Sequence, residues 1–98
     1  MHARLTRFEG SPERIDEAVR QTEDVWVPRL REIDGFGGVV TLADRGTGTI
    51  VAITYWESEN AMRASNEKVT DVRKEAADAV AARSQPIVEH YEVVLQAS

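Results

Sequence analysis

The 98-residue chain predicts a single α+β domain, residues 1–98, on three observations. Short β-branched and aromatic runs stand at both ends and as a close pair in the middle. Two longer stretches between them place apolar residues three and four apart, the spacing of one helix face. Capping and turn residues fall at the joints, so the order reads strand, helix, strand, strand, helix, strand.

His2 to Phe8 is the first strand, closed by Gly10-Ser11-Pro12; Ser11 can cap a helix and Pro12 fits its first position, where a missing N–H is harmless. From Pro12 to Asp34, Ile15, Val19, Trp26, Leu30 and Ile33, with Thr22 between them, mark one helix face. Pro28 lacks the donor for the preceding turn and crowds it, so a kink or restart is expected between Val25 and Pro28. Gly35 supplies the stop. Val39 to Asp44 and Thr49 to Trp56, parted by Arg45-Gly46-Thr47-Gly48, read as an antiparallel hairpin.

Ser58 caps the second helix, and Glu57 and Glu59 place negative charge at its positive end. Its apolar face runs through Ala61, Met62, Ser65, Val69, Val72, Ala76, Ala79 and Val80 to about Arg83, with a break expected near Val69-Thr70-Asp71. Ile87 to Gln96 is the last strand. This βαββαβ order is that of a ferredoxin-like fold, a four-stranded antiparallel sheet with two helices on one face.

The middle strands predict an interface. Val39, Val40 and Leu42, then Ile50, Val51, Ile53 and Tyr55, are apolar on both faces, whereas a sheet with one wet face should alternate. Two helices cover one face only. The other is expected to pack on a second copy across a two-fold axis, making a homodimer, with Val51 or its neighbour Ile50 at its centre according to register.

Composition excludes several classes of function. Twelve basic against 17 acidic residues, net charge −5, lacks the positive footprint that nucleic-acid backbones require. No cysteine is present, so disulfides, thiolate metal sites and cysteine nucleophiles are ruled out. No apolar run approaches the ~20 residues of a membrane span, and MHARLTRFEGS has no signal-peptide core, so a cytoplasmic location away from membranes is expected. His2 and His90 are the only histidines and no carboxylate array accompanies them, so no metal site is expected. Gly35-Phe36-Gly37-Gly38 enters a strand rather than a helix, unlike a phosphate loop, and no Gly-x-Ser-x-Gly elbow occurs.

The Gly-Phe-Gly-Gly-Val entry to the second strand, the Tyr-Trp-Glu-Ser end of the third, the Ser-Glu-Asn-Ala helix start and the closing Tyr91-Glu92-Val93-Val94-Leu95 together resemble the dimeric α+β barrel superfamily, in its antibiotic biosynthesis monooxygenase branch. The resemblance spans essentially the whole chain. It implies a dimer with one pocket per subunit between sheet and helices. It also implies relatives that include cofactor-independent oxygenases of electron-rich polycyclic phenols, haem-degrading enzymes and members without known chemistry. The haem-degrading relatives use an Asn on the first strand and a Trp and a His on the second helix. Those positions fall here on Thr6, Ser65 and about Lys74, so haem is not expected; the phenol oxidisers' Trp also falls on Ser65.

Trp26, Trp56 and Met62 are then candidate walls of a pocket for a small aromatic ligand, Thr6 and Ser65 its candidate polar positions, and His90 its candidate base. Each has a plainer role available: Trp56 as an anchor between strand and helix, Trp26 and Met62 as core, His90 as a strand histidine among acids. Arg4 and Arg7 lie on opposite faces of the first strand, and solvent or dimer-edge positions are expected for both. Two functions fit: a cofactor-independent monooxygenase, or a non-catalytic dimeric binding module of the same fold.

Overall fold

A computed structural model describes residues 1–98. Strands β1 (His2–Glu9), β2 (Phe36–Asp44), β3 (Thr49–Trp56) and β4 (Ile87–Glu92) form one antiparallel sheet in the order β2-β3-β1-β4. This is the predicted ferredoxin-like arrangement. All the helical segments cover one face.

Between β1 and β2 the chain makes a 3₁₀ turn (Pro12–Arg14), α1 (Ile15–Gln21), a π-helical turn (Thr22–Trp26) and α2 (Val27–Arg31). The disruption expected at Pro28 is therefore a π turn just ahead of it. The Val27 N–H reaches five residues back to the Thr22 carbonyl, and this wider turn fits one extra residue into the helix. The insertion keeps Ile15 and Ala18 at one end, and Trp26 and Leu30 at the other, all buried. An uninterrupted α-helix would drift by roughly 60° over the fifteen steps from Ile15 to Leu30.

β2 starts earlier than Val39, at Phe36, with a bulge between Phe36 and Gly38. In the hairpin turn, Asp44 Oδ1 accepts the N–H groups of Gly46 (2.8 Å) and Thr47 (3.3 Å). Gly48 is left-handed at φ +84°, and a Cβ there would strike the Gly10 carbonyl, so this turn requires glycine.

Ser58 caps as predicted, its hydroxyl accepting the Ala61 N–H at 3.0 Å. The second helix is interrupted at Ser65, between α3 (Glu59–Ala64) and α4 (Asn66–Ala79), and not near Val69-Thr70-Asp71. Ser65 Oγ bonds the Met62 carbonyl at 2.6 Å and the backbone turns there, while Thr70 sits within α4, bonded back to the Asn66 carbonyl. α4 ends at Ala79, short of Arg83, because Val80 is drawn into the core. The Val80 carbonyl takes the Ser11 N–H at 2.9 Å, and Ala81 turns away at φ +53°. β4 stops at Glu92, short of Gln96, because Glu92 pairs with His2 and β1 offers almost no backbone beyond it. Val94 and Leu95 are exposed.

The register settles the faces. Ile50 points under the helices and is buried with Phe8, Ile15, Ala18 and Val80. Val51 lies on the opposite face with Leu5, Val40, Leu42, Ile53 and Tyr55. A second buried cluster, Leu30, Trp56, Met62 and Val69, closes the other end of the helix layer. Between the two clusters the core is hollow.

Candidate functional site

Alternation along the strands presents Arg4, Thr6 and Phe8 of β1, Ile50, Ala52 and Thr54 of β3, and Val39 and Thr41 of β2 to the helices. α1, the π turn, α2 and α4 roof this floor and leave a partly open cavity of about 90 Å³, twelve of whose eighteen lining residues are hydrophobic. At about 10–15 Å³ per water, that space holds several waters or one small ring. The π turn contributes Trp26 and Thr22 to the wall.

The predicted pocket residues separate into two groups. Thr6 and Trp26 are on the cavity wall. Trp56, Met62 and Ser65 stand behind it, all buried, and meet the cavity through Arg4. Trp56 packs edge-on against Phe36 (centroids 5.5 Å) and donates its indole N–H to Thr54 Oγ1 at 3.0 Å. His90, on β4 and exposed, neighbours Arg4 across the strand pair but is not on the wall.

Arg4 overturns the solvent or dimer-edge position expected for it. It is 3% exposed and on the cavity wall. Its guanidinium donates to the Met62 carbonyl (2.7 Å), to Ser65 Oγ (3.2 Å) and to His90 Nε2 (3.5 Å), and lies 5.6 Å from the Trp56 ring centroid. The strand itself carried the signal, since Phe8 marks the inward face and Arg4 lies four residues earlier on that face. Arg7, on the other face, pairs with Glu9 at 3.5 Å.

Burial, and secondarily the charge of Arg73, pushes the Arg4 pKa down to about 10, which leaves it protonated at neutral pH. Arg73 on α4 is also on the wall, and burial lowers its pKa as well. Burial first, then Arg4, Arg73 and Arg63, lower the His90 pKa from its ordinary value of 6.5. The imidazole is therefore neutral at pH 7 and accepts from Arg4.

That shift makes a prediction. The folded protein takes up the His90 proton less readily than the unfolded chain, so stability is full above pH 6.5 and falls as pH drops below it. Urea unfolding from about pH 7 to about pH 5, across the histidine range, should show His90→Gln losing less stability than wild type. Parallel losses in the two proteins would show that the imidazole is not responsible.

The residues do not suit haem. The wall carries no His, Cys, Met or Tyr, the side chains that ligate haem iron, and Lys74 is exposed and off the wall. Nowhere in the chain do three His, Cys, Asp or Glu side chains gather as metal ligands. No helix is long and apolar enough to cross a membrane.

No family model matches the chain. It is 39% identical over 95 residues to the uncharacterized protein Rv2558 of Mycobacterium tuberculosis strain H37Rv, which covers 97% of this chain and 39% of that protein. The chain thus spans about two-fifths of the length of the curated relatives it matches. Among solved structures it is similar to the ActVA-Orf6 monooxygenase of Streptomyces coelicolor, crystallised with nanaomycin D. The TM-score is 0.75 at 17% identity, over 98% of this chain and 92% of that one. It is also similar to SnoaB, a cofactor-independent oxygenase of Streptomyces nogalater, with a TM-score of 0.60 at 19% identity over 99% and 94%. At these identities the likeness is one of fold.

Proposed function

We propose, for a chain that shares its fold with the ActVA-Orf6 and SnoaB oxygenases, that it works as a homodimeric, cofactor-independent monooxygenase of a small aromatic substrate held between sheet and helices. The observation that carries this reading is the partly open, mainly apolar cavity between sheet and helices, with Arg4, Thr6, Thr54 and Arg73 among its few polar positions. Such a cavity holds a ring, orients its oxygen and keeps water away. In this chemistry the substrate supplies the electrons to dioxygen, and the protein's part is to bind it, take its proton and shield it.

Within that reading Thr6 and Trp26 touch the substrate, while Trp56, Met62 and Ser65 hold Arg4 in place. His90, neutral at pH 7 and beside Arg4 just off the wall, is the proton acceptor, reached across one bridging water. The SnoaB description as cofactor-independent supports a reaction without a bound group. The second reading, a binding module without chemistry, is favoured by Ser65 and Thr6, which stand where the resembled enzymes carry Trp and Asn.

Oxygen uptake with a panel of phenols and quinols separates the two. The oxygenase reading expects consumption of at least one of them, with His90→Ala slowing it by about a hundredfold or more, the usual worth of general base catalysis. No uptake with any member leaves the binding module. Uptake that His90→Ala does not change removes His90 from the mechanism.

A further inference from the structure

The cavity holds two positive charges and no negative one. Arg4 and Arg73 are the only ionisable side chains on its wall, in a chain with 17 acidic residues and a net charge of −5. Neither arginine is in an ion pair; the five pairs of the fold involve His2, Arg7, Arg29, Arg45 and Arg63. Arg4 directs its donors to three acceptors, all neutral: a backbone carbonyl, a hydroxyl and an imidazole. A buried guanidinium stays charged, and a charge removed from water without a counter-ion is costly. The nearby Ser65, Met62 and Trp56 fix its direction without neutralising it. Arg4 pairs across the sheet with Thr54, and Thr6 follows on the same face, while Phe8, Ala18, Ile50 and Val80 line the apolar end of the cavity away from Arg4.

We propose that the cavity's ligand binds as an organic oxyanion, with its ring against the apolar wall and its ionised oxygen, phenolate or carboxylate, supplying the counter-charge that Arg4 and Arg73 lack. This deepens the oxygenase reading and takes its ring-bearing substrate class from it. A phenolate gives up electrons more readily than a phenol, and a cationic site holds the substrate in that form. The charge preference itself rests on the two arginines alone.

Binding without dioxygen tests it. The probes are 4-nitrophenol, whose ionised form absorbs in the visible, and the pair benzoate and benzamide, which share a shape and differ in charge. At low ionic strength, protein-bound 4-nitrophenol is expected to ionise at least one pH unit lower than the free compound, or benzoate to bind at least tenfold more tightly than benzamide. The first result identifies a phenolate site and the second a carboxylate site. Arg4→Gln should remove the preference and Arg4→Lys restore part of it. Arg73→Gln should weaken it, and, with the wild-type comparison, decides the matter if Arg4→Gln does not fold. The proposal is overturned if neutral and ionised probes bind alike, if neither anion binds at millimolar concentration, or if Arg4→Gln and Arg73→Gln both keep the full preference. An anion preference without oxygen uptake would keep this inference and remove the oxygenase.

Discussion

Val51→Lys is expected to split the proposed dimer or unfold the chain. Val51 lies in the interior strand β3 on the sheet face away from the helices, where Leu5, Val40, Leu42, Ile53, Tyr55, Ile87 and Tyr91 accompany it. Four of these stand open in the single chain: Val40 at 43%, Leu42 at 52%, Ile87 at 43% and Tyr91 at 52% exposed. Covering such a face is worth roughly 1.5–3 kcal/mol per large apolar side chain, and a two-fold axis counts each substitution twice. The new ammonium would also sit beside Arg7, the register partner of Val51, so the change adds repulsion to lost burial. Light scattering across a dilution series reads the outcome: wild type at twice 10.9 kDa, the variant at half that mass or aggregated. A folded wild-type monomer at micromolar concentration would remove both the dimer and the barrel.

Trp56→Ala should be nearly as severe. Trp56 is fully buried and packs with Leu30, Met62, Val69 and Phe36, so truncation empties the centre of one of the two core clusters. Large aromatic-to-alanine changes cost about 3–5 kcal/mol, a large share of the roughly 5–15 kcal/mol that hold a domain together. Arg4 also loses the ring beneath it. Denaturant unfolding should show a midpoint shift of that size, with Trp56→Phe recovering most of it. A loss below about 1 kcal/mol, the range of surface substitutions, would contradict the anchoring role.

The fold was legible because its signals are local. The β3 run Thr49–Trp56 and the Ser58 cap are each read within a few residues, and each stands where expected, whereas the first helix closes at Arg31, ahead of the Gly35 expected to stop it. The ends of α4 and β4 were not legible, since Val80 is drawn in by Ser11 and β4 is cut off by the length of β1, both distant in sequence. At the site, face was legible and depth was not. Periodicity put Trp26, Met62 and Ser65 under the helices, but only the three-dimensional packing shows that Trp26 reaches the cavity while Met62 and Ser65 stop at Arg4. Arg4 itself was misread because a charge on a short strand is usually solvated. What buries it is a set of neutral acceptors lying 58 to 86 residues away.

The first strand of the chain stands in the interior of the sheet, and this bears on the order in which the protein forms. β1 is made before both of its neighbours and has nothing to pair with until Thr49–Trp56 exists, and its other edge waits for Ile87–Glu92. The β2–β3 hairpin, closed by a four-residue turn, can form at once. Such long-range closures are the slow part of folding. Arg4 enters its place only when β1, α3 and β4 have come together, so the charged end of the cavity is completed late, and a nascent chain keeps that guanidinium in water until its last strand is made.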